Sequence, residues 1–164
     1  MPINYPETFF FAVVTTAAFA VLFQAPKSTL LQSGLIGGVG WVVFCLMRHS
    51  MEVDSFYANL IATIVLAILS ELAARVFMHP ATVFVIPGIF PIVPGLGMYR
   101  GMAKLIENHY DEGMAILLAA AKDAAAIAIG IMFVASFFRV IKISREQQHL
   151  LQLLRMEKKK QVEK

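Results

Sequence analysis

The sequence predicts an all-α integral membrane protein, a helical bundle of about five transmembrane segments of which one is broken by proline and glycine. Hydrophobic residues make up 59% of the 164 residues and charged residues only 15%, whereas soluble domains carry about 25% charged residues. The mean hydropathy is +0.71. The apolar residues also gather in stretches near the length of about 20 residues that a spanning helix needs. Composition, charge and stretch length therefore agree on a membrane protein.

Five apolar stretches follow one another along the chain. They cover residues 8–23, 33–47, 56–78, 83–98 and 113–138. The third and fifth exceed the length of a spanning helix, whereas the second is short and is expected to borrow residues from its flanks. No Lys or Arg precedes the first stretch and no persuasive cleavage site follows it, so we interpret it as a span and not as a secretory signal. We expect four clear helices and one ambiguous segment, the fourth.

The charges divide the chain into two parts, which we predict to be a transmembrane domain at residues 1–138 and a basic cytoplasmic tail at residues 139–164. The tail holds eight Lys or Arg against three Asp or Glu, and positive charge beside a span marks the cytoplasmic side. Its apolar residues recur every three or four positions, so the last helix either continues into the cytoplasm or lies on the membrane surface, and a solvated, frayed tail is the alternative. We attribute the basic charge to topology and anionic lipid, and expect no nucleic-acid partner.

Small residues in two of the stretches predict close packing between helices. In the second stretch Gly34 and Gly38 stand four residues apart with Gly37 beside them, which forms a groove where another helix can approach. The fifth stretch is rich in alanine, and its small-residue surface is broad enough for more than one neighbour.

The fourth stretch, residues 83–98, cannot form one continuous helix. Each of its prolines removes an amide donor and clashes with the carbonyl four residues back. Unpaired backbone groups persist at membrane depth only when they are buried in protein or line a wet cavity. The stretch from Met98 to Asn108 is expected to form a short helix. The amides at its start suit a carboxylate or phosphate, whereas a kinked helix packed on its neighbours is the alternative. The predicted carboxylate-binding residues are Pro87, Gly88, Pro91, Pro94, Gly95, Gly97, Tyr99 and Arg100.

This segment either crosses the membrane or re-enters it. A crossing gives five spans and places the N-terminus outside, opposite a cytoplasmic C-terminus. A re-entrant segment gives four spans and places both termini inside. We favour five crossings.

Four ionisable residues inside the spans are candidates for proton coupling or charge balance. They are Glu71, Arg75, Lys122 and Asp123. Charges within a bilayer face the bundle interior or a cavity and are functional candidates by default. Glu71 and Arg75 are four residues apart and can pair directly, or Arg75 can reach the interface. Asp123 lies near the middle of the fifth stretch, which suits it to carry a proton.

Sequence motifs of enzymes are missing. The four histidines are at least thirty residues apart, so no HExxH zinc helix exists, and no serine stands in a GxSxG motif. Gly95-Leu96-Gly97 begins like the GxGD element of intramembrane aspartyl proteases, but Met98 occupies the aspartate position. We therefore expect no catalytic activity, cofactor or metal.

A resemblance to a known family rests on the region around this break. His79-Pro80, Val83-Phe84 and the PxxPGxxxY pattern at Pro91, Pro94, Gly95 and Tyr99 resemble the signature of the threonine/serine exporter family. The resemblance extends over roughly residues 7–138, and the length is similar to that of the small, separate subunit found in two-component members, among them a succinate exporter. Nothing in the family explains the basic tail.

The resemblance implies a function. In split members of the family, a larger homologous subunit and a small one together form the transport unit. The chain is then expected to be the small subunit of a bacterial inner-membrane secondary exporter, with its C-terminus cytoplasmic. Its expected substrates are small carboxylates, either threonine and serine or succinate-like dicarboxylates, and export in the family is taken to run on the proton-motive force. A membrane scaffold or assembly protein, in which the break only shapes packing, is the alternative.

Overall fold

The computed structural model describes the backbone of residues 4–162 and the side chains of residues 4–140. That backbone forms six α-helices. They are α1 (Tyr5–Leu22), α2 (Leu30–Cys45), α3 (Ser55–Val76), α4 (Thr82–Ile89), α5 (Gly95–Ile106) and α6 (Tyr110–Val162). The backbone of α6 is helical far beyond the fifth apolar stretch, in agreement with the interpretation that the last helix continues into the basic segment.

Four helices are long and apolar enough to cross a membrane. They are Tyr5–Leu22, Lys27–Ser50, Ser55–Val76 and Tyr110–Val140. The second of these includes a 3₁₀ turn before α2 and a π-helical turn after it, so it does borrow residues from its flanks. The fourth apolar stretch forms two short helices, α4 and α5, on either side of a break. The predicted fold class is confirmed.

The ends of the helices follow from local chemistry. Asp54 precedes α3, and its carboxylate accepts a 2.9 Å hydrogen bond from the amide of Phe56, which satisfies a donor that the helix leaves unpaired. Pro6 stands in the first turn of α1, where a missing amide costs nothing. After α3, Met78 adopts a left-handed φ of 57° and Pro80 follows, so the helix cannot continue.

One end of the bundle collects the start of α1, the end of α2 and the start of α3, and is called the Ser55 end. The hydroxyl groups of Tyr5 and Ser50 form a hydrogen bond there. Asp123 of α6 accepts a hydrogen bond from Ser55 at the same end. Because thirteen residues of α6 precede Asp123, the helix extends beyond α3 at this end.

The opposite end is called the Arg75 end. Gln24 after α1 and Thr82 at the start of α4 line one cavity there. The guanidinium of Arg75 near the end of α3 lies 4.5 Å from the ring centroid of Phe138 in α6. α1 therefore begins, and the part of α6 with described side chains ends, at opposite ends of the bundle.

The predicted glycine groove is confirmed, and α1 fills it. A methyl group added at Gly34 would lie 3.0 Å from the Val13 carbonyl oxygen, and one at Gly37 would lie 2.7 Å from Thr16 Cγ2. The absence of side chains thus lets the two backbones approach closely. On α6, the small residues Ala126 and Gly130 are buried where the helix packs on α3.

The core lies around α4, which packs on α1, α2 and α3. Its central members are Ile36, Ala62, Leu66, Phe84, Ile92 and Ile127. By contrast, α5 packs mainly on α6. The two halves of the broken segment therefore have different surroundings.

Candidate functional site

The break between α4 and α5 is a turn in which Pro91 and Pro94 interrupt the helical hydrogen-bond pattern. The amide of Ile92 donates to the Ile89 carbonyl at 2.9 Å, and the amide of Gly95 donates to the Val93 carbonyl at 2.7 Å. Pro91 and Pro94 have no amide to donate. α5 begins directly after Pro94, three residues earlier than the short helix expected from the sequence.

The first half of the segment is buried at Pro87 and Gly88, whereas Ile86 beside them is 44% exposed. A methyl group added at Gly88 would lie 3.2 Å from the Leu66 side chain, and one at Gly40 of α2 would lie 3.3 Å from Ile92. Gly88 is therefore a packing residue, at which the backbone of α4 approaches α3.

The second half is open. A methyl group added at Gly95 would meet nothing within 4 Å, and Leu96 is 62% exposed. A methyl group added at Gly97 would lie 3.5 Å from Ala120 Cβ of α6, so these two residues are neighbours. The amides of Leu96 and Gly97 belong to the first turn, which has no intrahelical acceptors. The start of α5 thus presents free donors and the positive end of a helix dipole to open space.

Asp123 lies one helical turn after Ala120, the residue of α6 that lies beside Gly97 of α5. Its carboxylate accepts a 2.8 Å hydrogen bond from the Ser55 hydroxyl. The side-chain amide of Asn59 in turn donates to the Ser55 oxygen at 3.4 Å. Asp123 lies near the middle of its own apolar stretch, as predicted. It nevertheless faces the first residue of α3, because α6 extends past that helix.

Lys122 and Asp123 reach adjacent residues although they leave α6 in different directions. Lys122 Nζ lies 3.1 Å from Asp54 Oδ1, and both side chains are more than half exposed. The pKa of Asp54 lies below its ordinary value, chiefly because its carboxylate accepts the Phe56 amide and secondly because it accepts a hydrogen bond from Lys122. This corner therefore holds two carboxylates and one ammonium group.

Two arrangements were open to Arg75, pairing with Glu71 or reaching the interface, and the described side chains do not show the pairing. No ion pair joins these two described side chains, and Arg75 lies over Phe138 instead. Arg75 is exposed at the end of the bundle, while Glu71 is half-buried one turn before it. The guanidinium can thus stack on an aromatic face and remain in contact with the interface.

Two of the predicted residues point away from the bundle. Tyr99 is 72% exposed on the side of α5 opposite its contact with α6, and Arg100 is also exposed. The residues that face α6 are Gly97 and Gly101, the latter packed against Leu117. Tyr99 and Arg100 therefore do not close the start of α5 from within this chain.

A second charged group links α5 to α6. Lys104 Nζ lies 3.6 Å from Glu107 Oε2 and 3.3 Å from Glu112 Oε2. Its pKa is raised, first by the hydrogen bond from its ammonium group to Glu112 and then by the charges of both carboxylates. These exposed ion pairs join the end of α5 to the start of α6 and do not involve the start of α5.

The polar residues of α3 were missed by the sequence reasoning, which considered only ionisable groups within the spans. Ser55, Asn59, Thr63 and Ser70 are spaced by four, four and seven residues, so they share one helical face. The last three are almost completely buried. Their regular spacing within an apolar stretch was the sequence pattern that could have predicted this buried polar face.

At the Arg75 end, the cavity beside α4 has a volume of 250 Å³. It is lined by Phe23, Gln24, Ala25, Pro26, Thr82, Val83, Ile86 and Pro87. Pro87 is the one predicted site residue among them. The cavity is mostly apolar, and none of these lining residues belongs to α5.

With this geometry established, comparison with known proteins gives the family. A family described as Threonine/Serine exporter, ThrE, matches residues 8–137. The chain belongs to the threonine/serine exporter family. The matched range contains α1 to α5 and the part of α6 that packs on α3 and α5, so family membership and the apolar helices both indicate a multi-pass membrane protein.

Two curated proteins illustrate this family relationship. A threonine/serine exporter of Corynebacterium glutamicum is 32% identical over 132 residues, which are 79% of this chain and 27% of that protein. An uncharacterized protein of Haemophilus influenzae is 28% identical over 101 residues, which are 61% of this chain and 33% of that protein. The chain thus spans a third or less of the length of these relatives. No solved structure matches.

Proposed function

We propose that this chain is the small subunit of a secondary exporter that moves small carboxylates out across the bacterial inner membrane. Threonine and serine are the first candidates, because the Corynebacterium relative is named a threonine/serine exporter, and succinate-like dicarboxylates are the second. The observation that carries the proposal is the break between α4 and α5. Its first half is anchored in the core, while its second half opens at Gly95.

The start of α5 is the proposed carboxylate site. The amides of Leu96 and Gly97 donate to the carboxylate, and the helix dipole adds a favourable charge. Secondary transporters use broken helices for anionic groups in this way. Pro91 and Pro94 hold the turn, and Gly95 leaves the amides accessible because it has no side chain. In this proposal Pro87 and Gly88 anchor the segment and do not touch the substrate.

Asp123 is the proposed proton carrier. It is the intramembrane carboxylate nearest the start of α5, through the contact of Ala120 with Gly97. Glu71 is the weaker candidate, because it lies one turn from Arg75 at the opposite end. Lys122 balances charge at the Ser55 end through its ion pair with Asp54. Arg100 is available to a substrate approaching from outside α5.

The distribution of charge supports a cytoplasmic Arg75 end. The basic residues there are Lys27, Arg75 and Arg139, with Glu71 as the acidic one. Acidic residues predominate at the Ser55 end: Glu7, Glu52, Asp54, Glu107, Asp111, Glu112 and Asp123, against Arg48, Arg100, Lys104 and Lys122. Positive charge favours the cytoplasmic side. This orientation places the N-terminus outside, the C-terminus in the cytoplasm, and lets α4 and α5 together make the fifth crossing.

A larger membrane subunit of the same family is the proposed partner. The outer face of α6 carries exposed small residues, among them Ala121, Ala125 and Ala128, which allow a neighbouring helix to approach closely. The neighbouring face of α5 exposes Leu96, Tyr99, Met102 and Ile106. These surfaces face lipid or a partner, and the rocking of one half against the other requires a partner.

The test is efflux of radiolabelled threonine, serine and succinate from preloaded cells that express the chain with its candidate partner. Gly95→Leu fits without a clash because the position is open, but it covers the amides, so we expect export to fall strongly. Ala115→Leu adds similar bulk at an exposed position of α6 and should export normally. Equal export by both variants, at equal membrane abundance, would contradict the carboxylate site.

The proton carrier is tested by the pH dependence of the same efflux. Asp123→Asn preserves the hydrogen bond from Ser55 and removes the charge, and we expect it to abolish the dependence of export on the pH gradient. Glu71→Gln is the matched control and should leave it intact. If neither the wild type nor any variant exports these substrates with the partner present, the scaffold alternative is favoured.

A further inference from the structure

The buried face of α3 carries a row of polar side chains whose oxygen atoms have no hydrogen-bond partner in the described structure. Asn59 is 1% exposed, and Thr63 and Ser70 are 0% exposed. Asn59 Oδ1, Thr63 Oγ1 and Ser70 Oγ all lack partners. Their shared helical face also contains Leu66, which packs on Gly88 in the broken segment. We call Asn59, Thr63 and Ser70 the polar row.

Such a row is costly if it is dry. A buried polar atom without a partner costs about 1–3 kcal/mol, and buried polar groups are nearly always paired with protein or with ordered water. A Ser or Thr in a helix can also donate to the carbonyl four residues back, as Thr8 does to the Asn4 carbonyl at 3.2 Å. Thr63 and Ser70 make no such bond among the described groups. Ordered water would supply the missing hydrogen-bond partner of all three oxygen atoms.

The polar row continues directly from Asp123. The Ser55 hydroxyl donates to Asp123 at 2.8 Å, and Asn59 donates to Ser55 at 3.4 Å. A methyl group added at Gly130 of α6 would lie 3.1 Å from Thr63 Cβ and 3.2 Å from Thr63 Cγ2. The row therefore begins at a carboxylate on the Ser55 end and runs along the seam between α3 and α6.

We propose that the polar row is the wall of a hydrated path, in which ordered water connects Asp123 to the interior of the bundle beside the broken segment. Residues four apart on a helix are separated by about 6 Å along its axis. One water molecule bridges such a gap, because each hydrogen bond spans about 2.8 Å. The longer gap from Thr63 to Ser70 is about 10 Å and takes two or three water molecules.

The path also gives the proposed exporter a route for its coupling proton, and this second part rests on the proposed function. At each step one O–H bond forms as the neighbouring one breaks, so a proton advances and no electrons are transferred. The charged groups around the entrance are Asp123, the pair of Asp54 and Lys122, and Arg48, whose charge acts on Asp54. The polar row itself contains no ionisable group, so it conducts without holding charge.

Hydration is tested by cysteine labelling in native membranes, without any transport measurement. The chain has a single cysteine, Cys45, so Cys45→Ala gives a background without thiols. A thiol reacts with a small water-soluble methanethiosulfonate as its thiolate, which forms where water reaches it. Single Cys substitutions at Asn59, Thr63 and Ser70 are compared with Ala20→Cys.

Ala20 is the matched control because it is also 0% exposed, but its side chain has no polar atom that requires a water partner. We expect the three variants of the polar row to react at least about tenfold faster than Ala20→Cys, since only they are expected to meet water. Equal rates at all four positions would overturn the hydrated path, whether or not the chain transports anything.

The proton route is tested with the chain and its partner in vesicles. Thr63→Val keeps the shape of the side chain and removes the hydroxyl, whereas Thr63→Ser keeps the hydroxyl. We expect Thr63→Val to lose proton movement coupled to threonine, while exchange of labelled for unlabelled threonine continues, and Thr63→Ser to retain both. Normal coupled proton movement in Thr63→Val refutes the route, while absence of exchange in the wild type refutes the proposed function instead.

Discussion

Ser55 and Asp123 are 68 positions apart in the sequence, and the hydroxyl of the first donates a 2.8 Å hydrogen bond to the carboxylate of the second. This bond joins the first residue of α3 to α6 and fixes how the two helices align. One turn before Asp123, Ala120 lies beside Gly97 at the start of α5. A single contact thus links the packing of the bundle to its candidate site.

The Ser55–Asp123 bond should contribute measurably to stability. A hydrogen bond to a charged group contributes about 1.5–3 kcal/mol, so we expect Ser55→Ala to lower the free energy of unfolding in detergent by about that amount. In an Asp123→Ala background the same substitution should cost far less. A double-mutant cycle measures this coupling, and additive effects would show that the contact contributes nothing.

Gly37 should tolerate no side chain, whereas Gly95 should accept one. The methyl group of Gly37→Ala meets Thr16 Cγ2 at 2.7 Å, and such overpacking costs about 1–3 kcal/mol. Gly95 has open space and no left-handed φ, so Gly95→Ala should be neutral or slightly stabilising. Thermal unfolding of the two purified variants gives the comparison. A loss of stability in Gly95→Ala as large as that in Gly37→Ala would contradict the open turn.

Leu66 should be the most sensitive apolar residue of α3. It is fully buried and packs against Gly40 and Gly88, at 2.8 and 3.2 Å from their added methyl positions. Leu66→Ala leaves a cavity between three helices, and such substitutions cost about 2–5 kcal/mol. Leu72→Ala is the control on the same helix, because Leu72 is 47% exposed. Unfolding measurements should separate the two clearly, and similar costs would mean that α4 does not pack on α3 as described.

The contact of Arg75 with Phe138 should be a cation–π interaction that is independent of Glu71. Phe138→Leu retains an apolar side chain but removes the ring, and we expect a loss of about 0.5–1 kcal/mol, typical of exposed pairs. Phe137→Leu is the control, since Phe137 is exposed and does not contact the guanidinium in this way. If Glu71→Gln weakens the bundle more than Phe138→Leu does, a contact of Arg75 with Glu71 is favoured over its contact with Phe138.

The cap at the start of α3 should depend on pH in one direction. Because the pKa of Asp54 is lower in the folded protein than its ordinary value of 3.8, its contribution is fully present above 3.8 and disappears as the pH falls through the lower folded pKa. Wild type should exceed Asp54→Asn in melting temperature by a constant margin near neutral pH. The margin should shrink in strong acid, and a margin that instead grew on acidification would contradict the assigned cause.

Lys122 contributes to the same effect and can be tested separately. Lys122→Met removes the second cause of the lowered Asp54 pKa but leaves the Phe56 amide, which is the first. We therefore expect the acid transition of the cap to move towards the ordinary value of 3.8 without reaching it. Titration of the Asp54 carboxyl by NMR, in the variant and the wild type, measures this shift.

The sequence by itself determined the class of the fold, the positions of the apolar helices, the place of the break and the close approach at Gly34, Gly37 and Gly38. These features depend on properties that act within a few residues. Prolines lack amides, glycines lack side chains, and apolar runs of sufficient length favour the bilayer.

Only the tertiary structure decided which distant residues meet. It placed Asp123 opposite Ser55, moved Arg75 from Glu71 to Phe138, buried Gly88 while leaving Gly95 open, and gathered the polar row of α3 into one buried face. The physical reason is that such contacts depend on how far each helix extends past its neighbour and at what angle the helices cross. Those quantities are set by packing over the whole bundle, and no local pattern of residues contains them.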